Sequence, residues 1–129
     1  MRMSRMSSSA KVFDSFAWIE YFKGGGRAKR VKEYVDGRTP IYTPSICLTE
    51  IAFKYLREGK ESKERIEFIL DRSYIIETSA SMALDAAAVK QRDALHTVDA
   101  IVYASSRSKQ KVLVTGDEHF KNLPSVEMI

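Results

Sequence analysis

The sequence predicts a single α/β domain built on a parallel sheet of four to five strands, with helices on both faces. Three observations lead there. Short apolar runs alternate with stretches of helical periodicity along the whole chain, the pattern of strands joined by helical crossovers. The run Val112, Leu113 and Val114 reads as a buried strand. The chain has 129 residues, 44% of them apolar, which is enough for one core. It shows no repeat, no low-complexity linker and no second domain.

The elements follow in order. KVFD, residues 11–14, is a first strand that ends on Asp14. SFAWIEYFKGGG is a helix with Phe16, Ile19, Tyr21 and Phe22 near helical spacing, closed by glycines. RAKRVKEYVDG is a second helix, with Val31, Tyr34 and Val35 inward and Gly37 as its stop. PIYTP, residues 40–44, is a short strand between prolines. Pro44 and Ser45 open a long helix that runs to about Arg57. KESKERIEFILDRS is an amphipathic helix with Ile66, Ile69 and Leu70 as its core stripe. YIIET, residues 74–78, is the third strand, and an Ala-rich helix follows, capped by Ser79 or Ser81. TVDAIVYASSRS is a helix with Thr97 as its N-cap, KVLVT is the fourth strand and VEMI a short fifth.

The formal charge of +4 and pI of about 9.2 are permissive for anionic partners such as nucleic acid without requiring them. The one cysteine, Cys47, excludes an intrachain disulfide framework and a thiolate zinc site, and its apolar setting marks a buried, inert thiol. No run approaches the roughly 18 apolar residues of a membrane span. MRMSRMSSSAK has basic residues but no apolar segment of the secretory type. Residues 1–10 are expected to form a flexible N-terminal tail, with Met3 or Met6 an alternative start, and the domain to occupy 11–129. A cytoplasmic protein is the expectation.

Ligands of open parallel sheets bind beyond the carboxyl ends of the strands. Asp14 ends the first strand there, Asp117 follows the fourth, and Glu50 lies in the first turns of the helix after the second. Asp99 lies in the first turn of the helix that feeds the fourth strand. Each acid also has a bland role available: Asp14 as a helix cap, Glu50 as an i,i+4 partner of Lys54, Asp99 as a complement to its helix dipole, Asp117 as a turn residue. Two features favour a set. Glu50 and Asp99 sit inside the apolar stretches ICLTEIAF and VDAIVYA, where a carboxylate needs a partner. Convergent carboxylates raise one another's pKa, and a divalent cation resolves that conflict. Oxygen ligands indicate Mg²⁺ or Mn²⁺ rather than zinc. An acidic metal pocket on a basic protein suits a polyanionic substrate.

DSFAWIEYF, TEI, VDAIVYA and VLVTGDEHF, in that order, resemble the PIN domain family, and most closely its small single-domain prokaryotic members, including VapC-type toxins. The resemblance implies an α/β three-layer sandwich around the parallel sheet and a metal-dependent endoribonuclease that leaves 5′-phosphate and 3′-hydroxyl ends. The four family acids fall on Asp14, Glu50, Asp99 and Asp117, which implies that these hold Mg²⁺ or Mn²⁺. The hydroxyl that often precedes the fourth acid falls on Thr115, and the small polar position after the first falls on Ser15. Thr115 would orient Asp117. Many relatives carry a further Asp where this chain has His119. The resemblance also implies RNA as substrate, a homodimer and, for a toxin, a small antitoxin protein as partner.

Other readings stay open at this point. A non-catalytic RNA-binding or regulatory PIN module and a stand-alone RNA-processing nuclease share the same residues. A phosphoacceptor domain would need paired acids at the first strand and a lysine beyond a later one, and neither is evident. The triple glycine at 24–26 lacks the phosphate-loop pattern. His96 and His119 are candidate metal ligands, but with no second histidine at ligand spacing they read rather as surface or capping residues. The basic runs Arg27, Lys29, Arg30, Lys32 and Lys60, Lys63, Arg65 read first as solvated helix faces, with RNA contact the alternative. Trp18 and Tyr21 read as core or dimer packing.

Overall fold

A computed structural model describes residues 9–129. Residues 1–8, most of the expected tail, lie outside the described residues. The chain runs β1 (Lys11–Phe13), α1 (Ser15–Lys23), α2 (Ala28–Asp36), β2 (Ile41–Pro44), α3 (Ser45–Arg57), α4 (Lys63–Arg72), β3 (Tyr74–Ile76), α5 (Ala80–Asp93), α6 (Thr97–Lys109) and β4 (Val112–Thr115). A 3₁₀ turn (Glu118–Phe120) and β5 (Val126–Met128) complete it.

Local chemistry sets the helix ends. Asp14 caps α1 by accepting the Ala17 amide at 2.9 Å, and Gly24, at φ +72°, ends it in the left-handed region where glycine carries no Cβ penalty. Ser79, one of the two expected caps, accepts the Met82 amide at 3.1 Å and starts α5. Thr97 does not cap α6: the cap position is His96, which makes no side-chain cap bond. The extended backbone at His96 (ψ 158°) already turns Thr97 into the helix as its first residue.

The five strands stand in the order β3-β2-β1-β4-β5, every pair parallel. Both faces are covered, so successive residues of a strand feed different cores. Val12 and Leu113 pack with Cys47, Val102 and Tyr103 under α5 and α6. Phe13 and Val114 pack with Trp18, Val31, Ile51 and Ile69 under α1 to α4. This is why the strands read as continuous apolar runs. Leu70, expected in the core stripe of α4, is instead 47% exposed. The helix meets its neighbours along a narrow line through buried Ile69 and partly buried Ile66, and Leu70, one position round, falls outside it.

The chain builds outward from β1 through β2 to β3, then returns to the other side of β1 with β4. That reversal between β1 and β4 is the switch point at which α/β sheets open a crevice. Phe13 pairs with Val114 across it, so Asp14 and Thr115 emerge side by side.

Candidate active site

Five elements deliver side chains to this crevice. Asp14, Ser15, Glu50, Asp99 and Asp117, with Phe16, Ile19, Val102 and Phe120, line one cleft of about 130 Å³. All four expected acids are therefore brought together. Asp99 reaches the carboxyl edge because α6 runs back across the sheet to feed the amino end of β4.

Asp14 is buried. Its Oδ1 accepts the Ala17 amide and its Oδ2 accepts the Thr115 hydroxyl. Its carboxyl is raised to about 7: burial pushes it up most, the bonds from Thr115 and Ala17 pull it back, and the charges of Asp117 and Glu50 add to the rise. Glu50 is half-buried in the second turn of α3 and accepts from Ser15 Oγ at 3.0 Å. Its carboxyl is raised by burial, lowered by the Ser15 bond and raised by the Asp99 and Asp117 charges. Asp99 is raised by burial and by Asp117, and His119 lowers it.

Thr115 makes two contacts at once. Its hydroxyl donates to Asp14 and accepts the Asp117 amide at 3.0 Å. It thus fixes the backbone of Asp117, while its proton goes to the first acid rather than the fourth. Asp117 in turn caps the 3₁₀ turn, its Oδ1 accepting the His119 amide at 2.9 Å.

His119 is not a detached surface residue. Its Nδ1 lies 3.1 Å from Asp99 Oδ2 and 3.3 Å from Asp117 Oδ1. The His96 ring meets it edge-on at a centroid distance of 5.4 Å. The available sequence signal is the Asp-x-His spacing at 117 and 119, because a residue two beyond a strand-end acid shares its turn. Cys47 is buried, as expected, and burial raises its thiol well above the ordinary value. The other candidate features also resolve. Trp18 is core, and Gly24 to Gly26 form a helix stop and turn.

The donor set fits a hard divalent cation. Carboxylates from four elements converge with burial working against their charge, and a cation supplies the missing counter-charge. Among the described residues, one oxygen each from Asp99 and Asp117 and a ring nitrogen of His119 lie within 4.8 Å of one another. No helix of the described residues is long and apolar enough to cross a membrane.

Several solved structures share this fold. A toxin–antitoxin complex from Klebsiella pneumoniae is 23% identical with a TM-score of 0.77, covering 92% of this chain and 97% of that one. VapC20 from Mycobacterium tuberculosis, described as a Sarcin-Ricin loop cleaving toxin, is 19% identical with a TM-score of 0.77, covering 92% and 98%. VapBC2 from Rickettsia felis, bound to a DNA fragment from its promoter, is 17% identical with a TM-score of 0.71, covering 93% and 97%. Among curated proteins, none matches the sequence. The family model of the PIN domain matches residues 11–126, nearly the whole chain, and the chain belongs to that family.

Proposed function

We propose that this PIN domain, occupying residues 11–129, is an endoribonuclease that hydrolyses RNA phosphodiester bonds with Mg²⁺ or Mn²⁺, and that it acts as the toxin of a toxin–antitoxin pair. The observation that carries the nuclease reading is the convergence of Asp14, Glu50, Asp99 and Asp117 on one cleft at the sheet's switch point. The toxin reading draws on neighbours of the same size and fold described as toxins or toxin–antitoxin complexes. The corresponding partners are a small antitoxin protein and a second copy of the chain.

In this reading Asp14, Glu50, Asp99 and Asp117 hold the cation. When bound, it supplies Lewis acidity to the phosphodiester and to the attacking water. The protein's own part is positional. Thr115 locks Asp14 to the Asp117 backbone, and Ser15 holds Glu50. Asp14 is preset by its cap bond before any ligand arrives. Fixed acceptors need little reorganisation at the moment of reaction, which is where such sites gain rate.

The test is cleavage of single-stranded RNA by purified protein with Mg²⁺ or Mn²⁺, beside Asp99→Asn. Wild type should cleave and the variant should not. Equal cleavage by both would mean a contaminating nuclease and would end the proposal. Induced expression with and without a candidate antitoxin separates a toxin from a processing enzyme: growth arrest relieved by the partner supports the toxin reading.

A further inference from the structure

We infer that His119 supplies a ring-nitrogen ligand to the cation held at Asp99 and Asp117, so that this site prefers Mn²⁺ to Mg²⁺. The inference rests on the metal-dependent reading above and goes beyond it, from the acids to a residue of another type.

The argument is geometric first. Around a six-coordinate ion with ligands at about 2.1 Å, neighbouring donor atoms stand roughly 3 Å apart. His119 Nδ1 stands 3.1 Å from Asp99 Oδ2 and 3.3 Å from Asp117 Oδ1. One nitrogen therefore keeps that spacing from two acids at once, and one donor atom each of Asp99, Asp117 and His119 lies within 4.8 Å of the others.

The ring is also held in place. The backbone N–H of His119 donates to Asp117 Oδ1 at 2.9 Å, so the ligand candidate and its neighbour acid share one turn. The next residue, Phe120, is buried and stacks on Tyr103 at 6.5 Å, which anchors the turn from below. His96 flanks the ring at 5.4 Å. A side chain so placed needs little ordering to bind.

Ligand chemistry then sets the preference. Mg²⁺ favours oxygen ligands and keeps its waters, whereas imidazole suits ions further along the divalent series. Mn²⁺ accepts both, so one nitrogen among oxygens shifts the balance towards it. Binding through Nδ1 places the ring proton on Nε2.

The experiment is pulsed EPR on the full-length protein loaded with one equivalent of Mn²⁺, with calorimetric titration of Mn²⁺ and Mg²⁺. It compares wild type, His119→Ala, His119→Asp and His96→Asn. The His119 side chain is 56% exposed, so these variants should fold, and their melting curves verify it. Nitrogen coupling to Mn²⁺ is expected in wild type and His96→Asn and should vanish in both His119 variants. The ratio of Mn²⁺ to Mg²⁺ affinity should fall roughly tenfold in His119→Asp, which offers oxygen instead. Mn²⁺ that binds wild type without nitrogen coupling, or coupling that survives His119→Ala, overturns this inference and leaves the acidic site standing. Failure of wild type to bind Mn²⁺ overturns both.

Discussion

Thr115 donates its hydroxyl proton to Asp14 Oδ2 across the junction of β1 and β4. Thr115 Oγ1 also accepts the Asp117 amide at 3.0 Å, so one buried side chain ties the first acid of the cleft to the last. Thr115→Val keeps the shape and removes both bonds. It leaves a buried carboxylate short of a donor, a loss of about 1–3 kcal/mol. Affinity for Mn²⁺ should fall by about 10–100-fold, as when the support of a metal ligand is removed. Thr115→Ser should keep most of both. Calorimetry and urea denaturation of the three proteins check this, and a Thr115→Val protein that binds metal like wild type would remove Thr115 from the site.

The raised carboxyl of Asp14 makes the metal-free protein sensitive to pH. Its ordinary value is 3.8 and burial, the largest cause, lifts it to about 7 in the folded chain. A group raised on folding contributes its full stability below the unfolded value and loses it as pH rises through the folded one. The metal-free protein should therefore lose stability between about pH 4 and pH 7 through this group. Asp14→Asn cannot ionise, so that part of the slope should disappear, and the variant should melt higher than wild type at pH 8. Thermal melts in chelator at pH 5 and pH 8 test it. Added Mn²⁺ should reverse the order, since it stabilises the ionised wild type alone.

Gly116 is needed for close approach. A Cβ there would lie 2.2 Å from Phe16 Cε1 and 2.7 Å from an Arg27 guanidinium nitrogen. Phe16 lines the cleft, the Arg27 guanidinium sits over its ring at 4.8 Å, and Arg27 donates to the carbonyls of Gly116 and Ile129 at 3.3 and 2.9 Å. Gly116→Ala must displace the ring and strain the arginine. A stability loss of about 1–3 kcal/mol is expected, together with weaker RNA cleavage because the cleft wall moves. Phe16→Ala combined with Gly116→Ala removes the ring clash but not the Arg27 contact, so it should recover only part of the stability and none of the cleavage, as measured by melting and by RNA digestion.

Much of this arrangement is legible in the sequence, because its main signals are local. Val112 to Val114 and Val12 to Phe13 are apolar without alternation since both sheet faces are covered, and strand ends mark where Asp14 and Asp117 must emerge. What escapes is what depends on packing angles. Leu70 fits the helical period of Ile66 and Ile69, but only the contact line of α4 decides that it faces solvent. Thr97 has the chemistry of a cap, yet the backbone turns one residue earlier, at His96. His119 is the least legible, reading along the chain as a surface or capping residue. Its tie to Asp99 joins the turn after β4 to the first turn of α6, and no spacing along the chain encodes that.

Trp18 links the core to the cleft and offers the last test. It is fully buried on α1, one turn beyond Asp14, and packs edge-on against Phe13 at 5.0 Å. Its Nε1–H donates to Thr43 Oγ1 at 3.0 Å, and that hydroxyl shares a further 2.8 Å bond with Ser73. The chain of three side chains fastens α1 to β2 and to the end of α4. Trp18→Ala should cost about 3–5 kcal/mol from lost burial and the cavity left behind. The bond itself is isolated by a double-mutant cycle of Trp18→Phe with Thr43→Val. A buried neutral hydrogen bond predicts a coupling of about 0.5–1.5 kcal/mol, read from denaturant midpoints. A coupling indistinguishable from zero would mean that packing, not this bond, holds α1 in position. Because the Trp18 amide also donates to the Asp14 carbonyl at 3.3 Å, loosening α1 should lower Mn²⁺ affinity in the Trp18 variants while Thr43→Val alone leaves it near wild type.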